Sequence, residues 1–372
     1  MQKIGILGGG QLGRMLLQAG ANYPVETYVL ENDEECPAAH LCHRFTKGDI
    51  RDFDAVYTFG KNLDAITIEI ENVNIDALEK LETNGVKVYP RPSVLKIIKN
   101  KILQKEFYKS HDIPSPEFQV VWNSDEKIIM PLPFVQKMNT GGYDGKGVQV
   151  IKTEEDYQHL WTEASVIESL VDIEKELSVI VARNEKGETN IFPVTEMVAD
   201  PKLNLLDFNV CPVLLTEDVQ NQIDSITEKF LNAVNSPGLF AIELFLDKEG
   251  KIWVNETAPR LHNSGHQSQE GNTNSQFEQM YRVVKNLPLA DTDAITYSGM
   301  LNLVGAEGYA GKVVYDGMED VLKLPETYIH LYGKTETKPG RKMGHINVLA
   351  DSREELMEKL VIVKGMMKVI SE

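Results

Sequence analysis

Cysteine is scarce in this chain: three residues in 372, at Cys36, Cys42 and Cys211. The number is odd and no two form a Cys-x-x-Cys pair. That argues against a disulfide framework or a thiolate zinc site, and for a reducing compartment, the cytoplasm. Positive charge is also short. Lys and Arg total 38 against 56 Asp and Glu, a formal charge of −18. Nucleic acid and anionic membrane surfaces would be repelled as bulk partners. A small phosphorylated ligand in a local basic pocket stays compatible. No stretch approaches the ~18 apolar residues of a membrane span. The chain enters Lys3-Ile4-Gly5-Ile6-Leu7 almost at once, so no cleavable leader is expected.

What is present is ordinary for a globular protein: 42% apolar and 25% charged residues,. The length suggests two or three domains of ~100–200 residues, enough to bury a core without staples. No repeat or low-complexity tract is visible. The first 90 residues alternate strand and helix patterns: strands at 4–7, 27–30, 65–70 and 86–89, with a helix at 12–18. Such alternation favours a parallel sheet with helices on its faces. Pro90-Arg91-Pro92 breaks the pattern,. A basic helix is expected next, with Leu95, Ile98, Ile102 and Leu103 at helical spacing and Lys96, Lys99, Lys101 and Lys105 between them,. The middle carries short β-branched segments at 134–136, 148–151, 177–181 and 191–194. Segments 240–246 and 251–255 read as a hairpin across Asp247-Lys248-Glu249-Gly250,. Asn286-Leu287-Pro288 is a second boundary, and a final amphipathic helix spans about 352–364.

Gly8, Gly10 and Gly13 satisfy G-x-G-x-x-G between the first strand and first helix, and Glu31 ends the second strand. Three readings stand at this point. The turn could seat a dinucleotide, with Glu31 on a ribose. It could grip a single phosphate. Its glycines could merely allow a tight turn and close packing. A second loop, Thr140-Gly141-Gly142-Tyr143-Asp144-Gly145-Lys146-Gly147, lies between two strands. Its backbone N–H groups could close around phosphate oxygens, with Lys146 and Lys137 adding charge. A plain hairpin connection is the alternative.

In the 240–256 hairpin, pairing Leu246 with Lys251 sets Glu243 opposite Val254 and Glu256 opposite Ala241. The two carboxylates are then diagonal neighbours on one face, ~7–8 Å apart at the backbone. They repel unless a cation lies between them, and a hard divalent ion carrying nucleotide phosphates fits. Asn255 would point to the other face. Solvated acids on an edge strand are the alternative, and a bulge would separate the pair. Arg260, His262, Asn263 and His266 follow in one loop, rich in groups that bind small anions and move protons. Lys334, Lys338, Arg341 and Lys342 form a late basic cluster, either a solvated charge run or a phosphate clamp.

Together these strings resemble the ATP-grasp enzymes of purine biosynthesis, most closely the N5-carboxyaminoimidazole ribonucleotide synthetases. The resemblance rests on residues 8–15, 140–147, 255–266 and 338–345, in the expected order. It implies an α/β and α+β ATP-grasp fold in three parts. These are a Rossmann-like parallel-sheet domain at 1–92, an ATP-grasp domain at 93–288 with a lid at about 113–170, and a small β-rich domain at 289–372. It implies that ATP, bicarbonate and 5-aminoimidazole ribonucleotide give the N5-carboxyamino product, ADP and phosphate through carboxyphosphate.

By the same resemblance, ATP would be bound by Lys101, Lys137, the loop Gly141, Gly142, Tyr143, Asp144, Gly145, Lys146 and Gly147, and by Asn255 and Glu256. Glu168, Ser169, Leu170 and Val171 would border the adenine, and Glu176 the ribose. Glu243 and Glu256 would hold Mg²⁺ or Mn²⁺. Gln11, Leu12, Glu69, Tyr143, Asp144, Lys146, Lys334, Arg341 and Lys342 would contact the ribonucleotide, with the glycine turn at its phosphate. Arg260, His262, Asn263 and His266 would surround bicarbonate or carboxyphosphate, with Asp144 and Lys146 beside the chemistry. A homodimer is implied as well. The rivals are a formate-using glycinamide ribonucleotide transformylase and a nucleotide-binding relic without turnover. The paired Glu243 and Glu256 speak against the relic.

Overall fold

The computed structural model describes residues 1–123, 126–141, 147–200 and 205–372. The alternating N-terminal pattern folds into a five-stranded parallel sheet. Its spatial order is Arg44–Lys47, Val25–Glu31, Gln2–Leu7, Ala65–Ile68 and Lys87–Tyr89. Strand Gln2–Leu7 is central, with Ile4 level with Thr27 on one side and Ala65 on the other. It is apolar on both faces because helices cover both. On one face Leu12 and Leu16 pack with Phe277 and Tyr281. On the other, Leu7, Ile66 and Ile68 pack with Leu78 and Leu81.

The expected basic helix is two helices, Pro92–Ile98 and Lys101–Ser110. Asn100 causes the break. Its side chain accepts from the Leu103 N–H at 2.9 Å, so it caps a new helix, as short amide side chains favour. Strands Phe118–Val121, Ser165–Ser169, Phe134–Met138 and Val148–Ile151 form a four-stranded antiparallel sheet in that order. Its small core is Val121, Phe134, Ile151 and Ile167.

The largest sheet has nine strands. Its path runs Ile252–Ala258, Gly238–Asp247, Ile173–Arg183, Thr195–Asp200, Leu205–Val210, Tyr297–Val304, Lys342–Ala350 and Thr327–Leu331. The late chain therefore extends the same sheet as the middle of the chain. The segment expected as a strand at 191–194 is instead a strand at Thr189–Ile191, with a last bond from the Phe192 N–H to the Ile180 carbonyl at 2.8 Å. Pro193 has no N–H to give a neighbour, and Phe192 and Val194 turn into the core.

Candidate active site

The hairpin delivers the two carboxylates by a different register from the simple one. Leu246 pairs with Ile252 and Leu244 with Val254. Asn255 is then an extra residue, a bulge, and it does not separate the acids as expected of a bulge but sets Glu243 directly opposite Glu256. A bulge re-aims the bulged side chain. Asn255 therefore does not face away: its Nδ2 donates to Glu243 Oε2 at 3.2 Å and its Oδ1 accepts from Lys137 Nζ at 2.8 Å. Burial raises the Glu243 carboxyl, against the lowering charge of Lys101.

Three lysines converge here. Lys101 pairs with Glu256. Lys137, on strand Phe134–Met138, lies 3.0 Å from Glu168 Oε2, and Lys105 lies 3.2 Å from Glu168 Oε1. Burial and the charge of Lys137 lower Lys101 to about 8, and burial lowers Lys105 to about 7. Burial alone would raise Glu168, but the charges of Lys137 and Lys105 outweigh it and hold it below the usual carboxylate range. Glu168, expected along the adenine, thus has its carboxylate between two lysines. Glu176 lies two residues from Ser178, the cross-strand partner of Glu243, so the two acids share a face. Burial and the Glu243 charge raise Glu176.

The pair fits a hard divalent ion. Opposed carboxylates with an amide oxygen alongside supply oxygen ligands only. Among the described residues no cluster of three or more His, Cys, Asp and Glu is arranged to hold a metal alone. Such a site needs ligands from a bound phosphate or water, which is how Mg²⁺ is usually carried.

The 260–266 loop lies beside the hairpin. Arg260 Nε is 2.9 Å from Glu71 Oε1. His262 Nε2 is 3.4 Å from Glu243 Oε1, and its Nδ1 accepts from the Ser264 N–H at 3.3 Å, so the proton sits on Nε2. Burial and the charge of Arg260 lower His262 to about 3. Asn263 has both side-chain polar atoms buried without a partner. An unsatisfied buried amide is costly, and this one offers a donor and an acceptor to a small planar ligand. His266, which ends the loop, is 1% exposed.

The N-terminal turn is held by internal carboxylates. The N–H groups of Gly10 and Leu12 donate to the Glu69 carboxylate, the latter at 3.1 Å. Gly9 N–H donates to Glu31 Oε2 at 3.2 Å. In this structure those donors are taken by two carboxylates, Glu31 and Glu69, and Glu69 is itself one of the residues expected at the ribonucleotide. Close packing is the reason for the glycines: a Cβ on Gly10 would stand 2.4 Å from Glu69 Oε1. Leu12, expected at the ribonucleotide, is a core residue with its side chain buried. Gln11 behaves differently. Its Oε1 accepts from Lys334 Nζ at 3.1 Å, and Lys334 also donates to the Lys342 carbonyl at 2.7 Å. First helix and late basic cluster therefore meet. Arg341 follows a turn closed by its N–H to the Lys338 carbonyl at 3.0 Å, and its Nη1 donates to the Glu336 carbonyl at 2.7 Å.

Gly141 and Gly147 flank Gly142, Tyr143, Asp144, Gly145 and Lys146, and these five expected site residues lie outside the described residues. Leu170 is exposed. Sequence reasoning missed Lys105 and Glu71 as site residues. The signal for Lys105 was its position one helical turn after Lys101. Glu71 lies two residues after Glu69 and carried no motif of its own.

Comparison with known proteins agrees across the chain. The ribonucleotide synthetase preATP-grasp domain family matches residues 1–99, the ATP-grasp domain family 106–277, and the phosphoribosylaminoimidazole carboxylase C-terminal domain family 298–359. An N5-carboxyaminoimidazole ribonucleotide synthase of Aquifex aeolicus is 35% identical, covering 99% of this chain and 98% of its own. The crystal structure of N5-carboxyaminoimidazole ribonucleotide synthetase from Thermotoga maritima superposes with a TM-score of 0.93 at 38% identity, covering all of both chains. An Aspergillus clavatus N5-carboxyaminoimidazole synthase, solved with ADP and 5-aminoimidazole ribonucleotide, gives a TM-score of 0.86 at 29% identity, covering 97% and 98%.

Proposed function

Because this chain belongs to the N5-carboxyaminoimidazole ribonucleotide synthetases of the ATP-grasp family, we propose the following division of labour in its ATP-dependent carboxylation of 5-aminoimidazole ribonucleotide. A bicarbonate oxygen attacks the γ-phosphorus of ATP, the bond to the β-phosphate oxygen breaks, and ADP leaves. The exocyclic amine then attacks the carbon of carboxyphosphate, phosphate departs, and the amine gives up a proton. Lys101, Lys137 and the 141–147 loop offset charge on the transferring group. Adenine lies along 168–171 and its ribose at Glu176. Glu243 and Glu256, with Asn255 beside them, would hold Mg²⁺ or Mn²⁺, which when bound screens the phosphate charge.

Arg260 and Asn263 orient the planar bicarbonate. His262, neutral with its proton on Nε2, donates and does not act as a base near neutral pH. Gln11, Lys334, Arg341 and Lys342 hold the ribonucleotide, its phosphate on the cations. The amine is a weak nucleophile, so closeness to the carbon matters more than a strong base; Asp144 takes its proton. The family resemblance also points to a homodimer in the cytoplasm.

The observation that carries this reading is the bulge: one hairpin opposes two carboxylates, and the lysines beside them sit next to a loop with an unsatisfied amide. ADP release is the test. It should require bicarbonate and 5-aminoimidazole ribonucleotide together. Turnover supported by formate and glycinamide ribonucleotide instead would overturn it.

A further inference from the structure

The proposed catalysis leaves a histidine column unexplained, two of its rings buried and the third, His330, half-buried. His266, His345 and His330 follow one another with ring centroids 4.8 Å and then 4.5 Å apart, the first pair tilted and the second stacked. They come from three segments: the bicarbonate loop, strand Lys342–Ala350 and strand Thr327–Leu331. Imidazoles buried side by side need a defined proton arrangement, because an unpaired buried polar atom is costly.

Neighbours fix the arrangement. Gln276 donates to the His262 carbonyl at 2.8 Å and accepts from the His262 N–H at 2.9 Å, which sets its amide orientation. Its Nε2 then donates to His266 Nδ1 at 3.1 Å, so His266 carries its proton on Nε2. His345 Nε2 lies 3.1 Å from Gln269 Oε1, which only accepts. His345 Nδ1 is therefore an acceptor, and the Tyr332 hydroxyl, 3.0 Å away, donates to it. Asn347, two residues on, donates to the His266 carbonyl at 2.9 Å and to Glu270 at 2.6 Å.

This network ends at the other substrate. Lys334 Nζ lies 5.6 Å from the centroid of the Tyr332 ring. The same lysine donates to the carbonyl of Lys342, which begins the strand that carries His345. A continuous path of contacts thus runs Lys334, Tyr332, His345, then Gln269 and His266.

We propose that Tyr332 and His345 are positioning residues that couple the ribonucleotide lysines to the bicarbonate loop. With the ribonucleotide held, they keep the 260–266 loop in the geometry that carries the carboxyl group to the amine. The inference rests on the placement of the two substrates given above. Its expected signature is selective. Losing the Tyr332 hydroxyl leaves ATP cleavage in place but wastes more of it.

The test uses the whole enzyme with Tyr332→Phe, His345→Gln, His345→Phe, Lys334→Met and the double variant of Tyr332→Phe with Lys334→Met. It reads ADP formed per carboxylated product, and the KM of each substrate. Tyr332→Phe should lower carboxylation about tenfold, the worth of a buried hydrogen bond. ADP per product should rise, and the ATP KM should stay within twofold. His345→Gln, which keeps a donor and an acceptor, should recover part of that loss relative to His345→Phe. Lys334→Met should raise the ribonucleotide KM, and in the double variant with Tyr332→Phe the two effects should not add. If Lys334→Met leaves that KM unchanged, the substrate placement fails and the coupling with it. If it raises that KM while Tyr332→Phe leaves ADP per product at the wild-type value, or the two effects add, the placement stands and the coupling alone is wrong.

Discussion

Replacing Glu256 by Gln separates chemistry from folding. Glu243 and Glu256 are direct cross-strand partners, with Cβ atoms ~5 Å apart. At an effective dielectric of ~20, two carboxylates at that distance repel by about 3 kcal/mol. Lys101 attracts Glu256 by a similar amount through their ion pair. The substitution removes both terms, and the 39% exposure of the Glu256 side chain screens both,. Net stability should move by no more than ~1 kcal/mol, an apparent melting shift of ~2–4 °C. Catalysis should not be spared. A ligand charge is lost where phosphate charge must be offset, an effect of several kcal/mol, or ~10²–10⁴ in rate. Phosphate release and thermal melting on the same preparation decide it. Near-normal turnover at saturating Mg²⁺ would refute the metal role. Loss of turnover with a melting drop of tens of degrees would refute the claim that the pair is functional and not a fold element.

Three further outcomes follow from the same geometry. Arg341→Ala should raise the ribonucleotide KM about ten- to a hundredfold, the worth of a charge-assisted hydrogen bond, and leave the ATP KM nearly unchanged; steady-state kinetics in both substrates checks this. Lys105 titrates near 7 in the folded protein against 10.5 when unfolded, so the unfolded chain binds more protons in that window. Wild-type stability should therefore rise with pH between about 7 and 10 by up to ~1.4 kcal/mol per unit relative to Lys105→Met; denaturant titrations at several pH values that show no such divergence would contradict the burial of a neutral lysine. Nucleotide should raise hydrogen-exchange protection of residues 140–147, because the site must exclude water from carboxyphosphate, and equal protection with and without an ATP analogue would count against closure there.

Four strands of the parallel sheet were legible because they are mostly apolar and separated by helical periods; the edge strand Arg44–Lys47, mostly polar and largely exposed, was not. The Glu243 and Glu256 pairing was legible in outcome but not in register. A bulge leaves no mark in strand alternation, and regular pairing would have turned Asn255 away and set the acids diagonally. The helix break at Asn100 was not legible because its neighbours fit one helical period, and only the choice between capping and continuing decides such a residue. The N-terminal glycines left a choice open for a deeper reason. The same turn suits a phosphate or an internal carboxylate, and Glu69, 59 positions after Gly10, makes that choice. Long-range partners also hid the histidine column. His266, His330 and His345 share no motif, and only the pairing of His330 with His345 across two strands brings them into register.

The central claim is that this site activates bicarbonate by taking it to the γ-phosphoryl group of ATP. Turnover of ¹⁸O-labelled bicarbonate with ATP and 5-aminoimidazole ribonucleotide tests it directly, by mass analysis of the released phosphate. Attack by a bicarbonate oxygen followed by breakage of the carbon–oxygen bond leaves one labelled oxygen on each phosphate, with the remaining label in the carboxylate of the product. Unlabelled phosphate formed alongside carboxylated product would mean that the carboxyl group arrives without phosphoryl transfer, and would contradict the account.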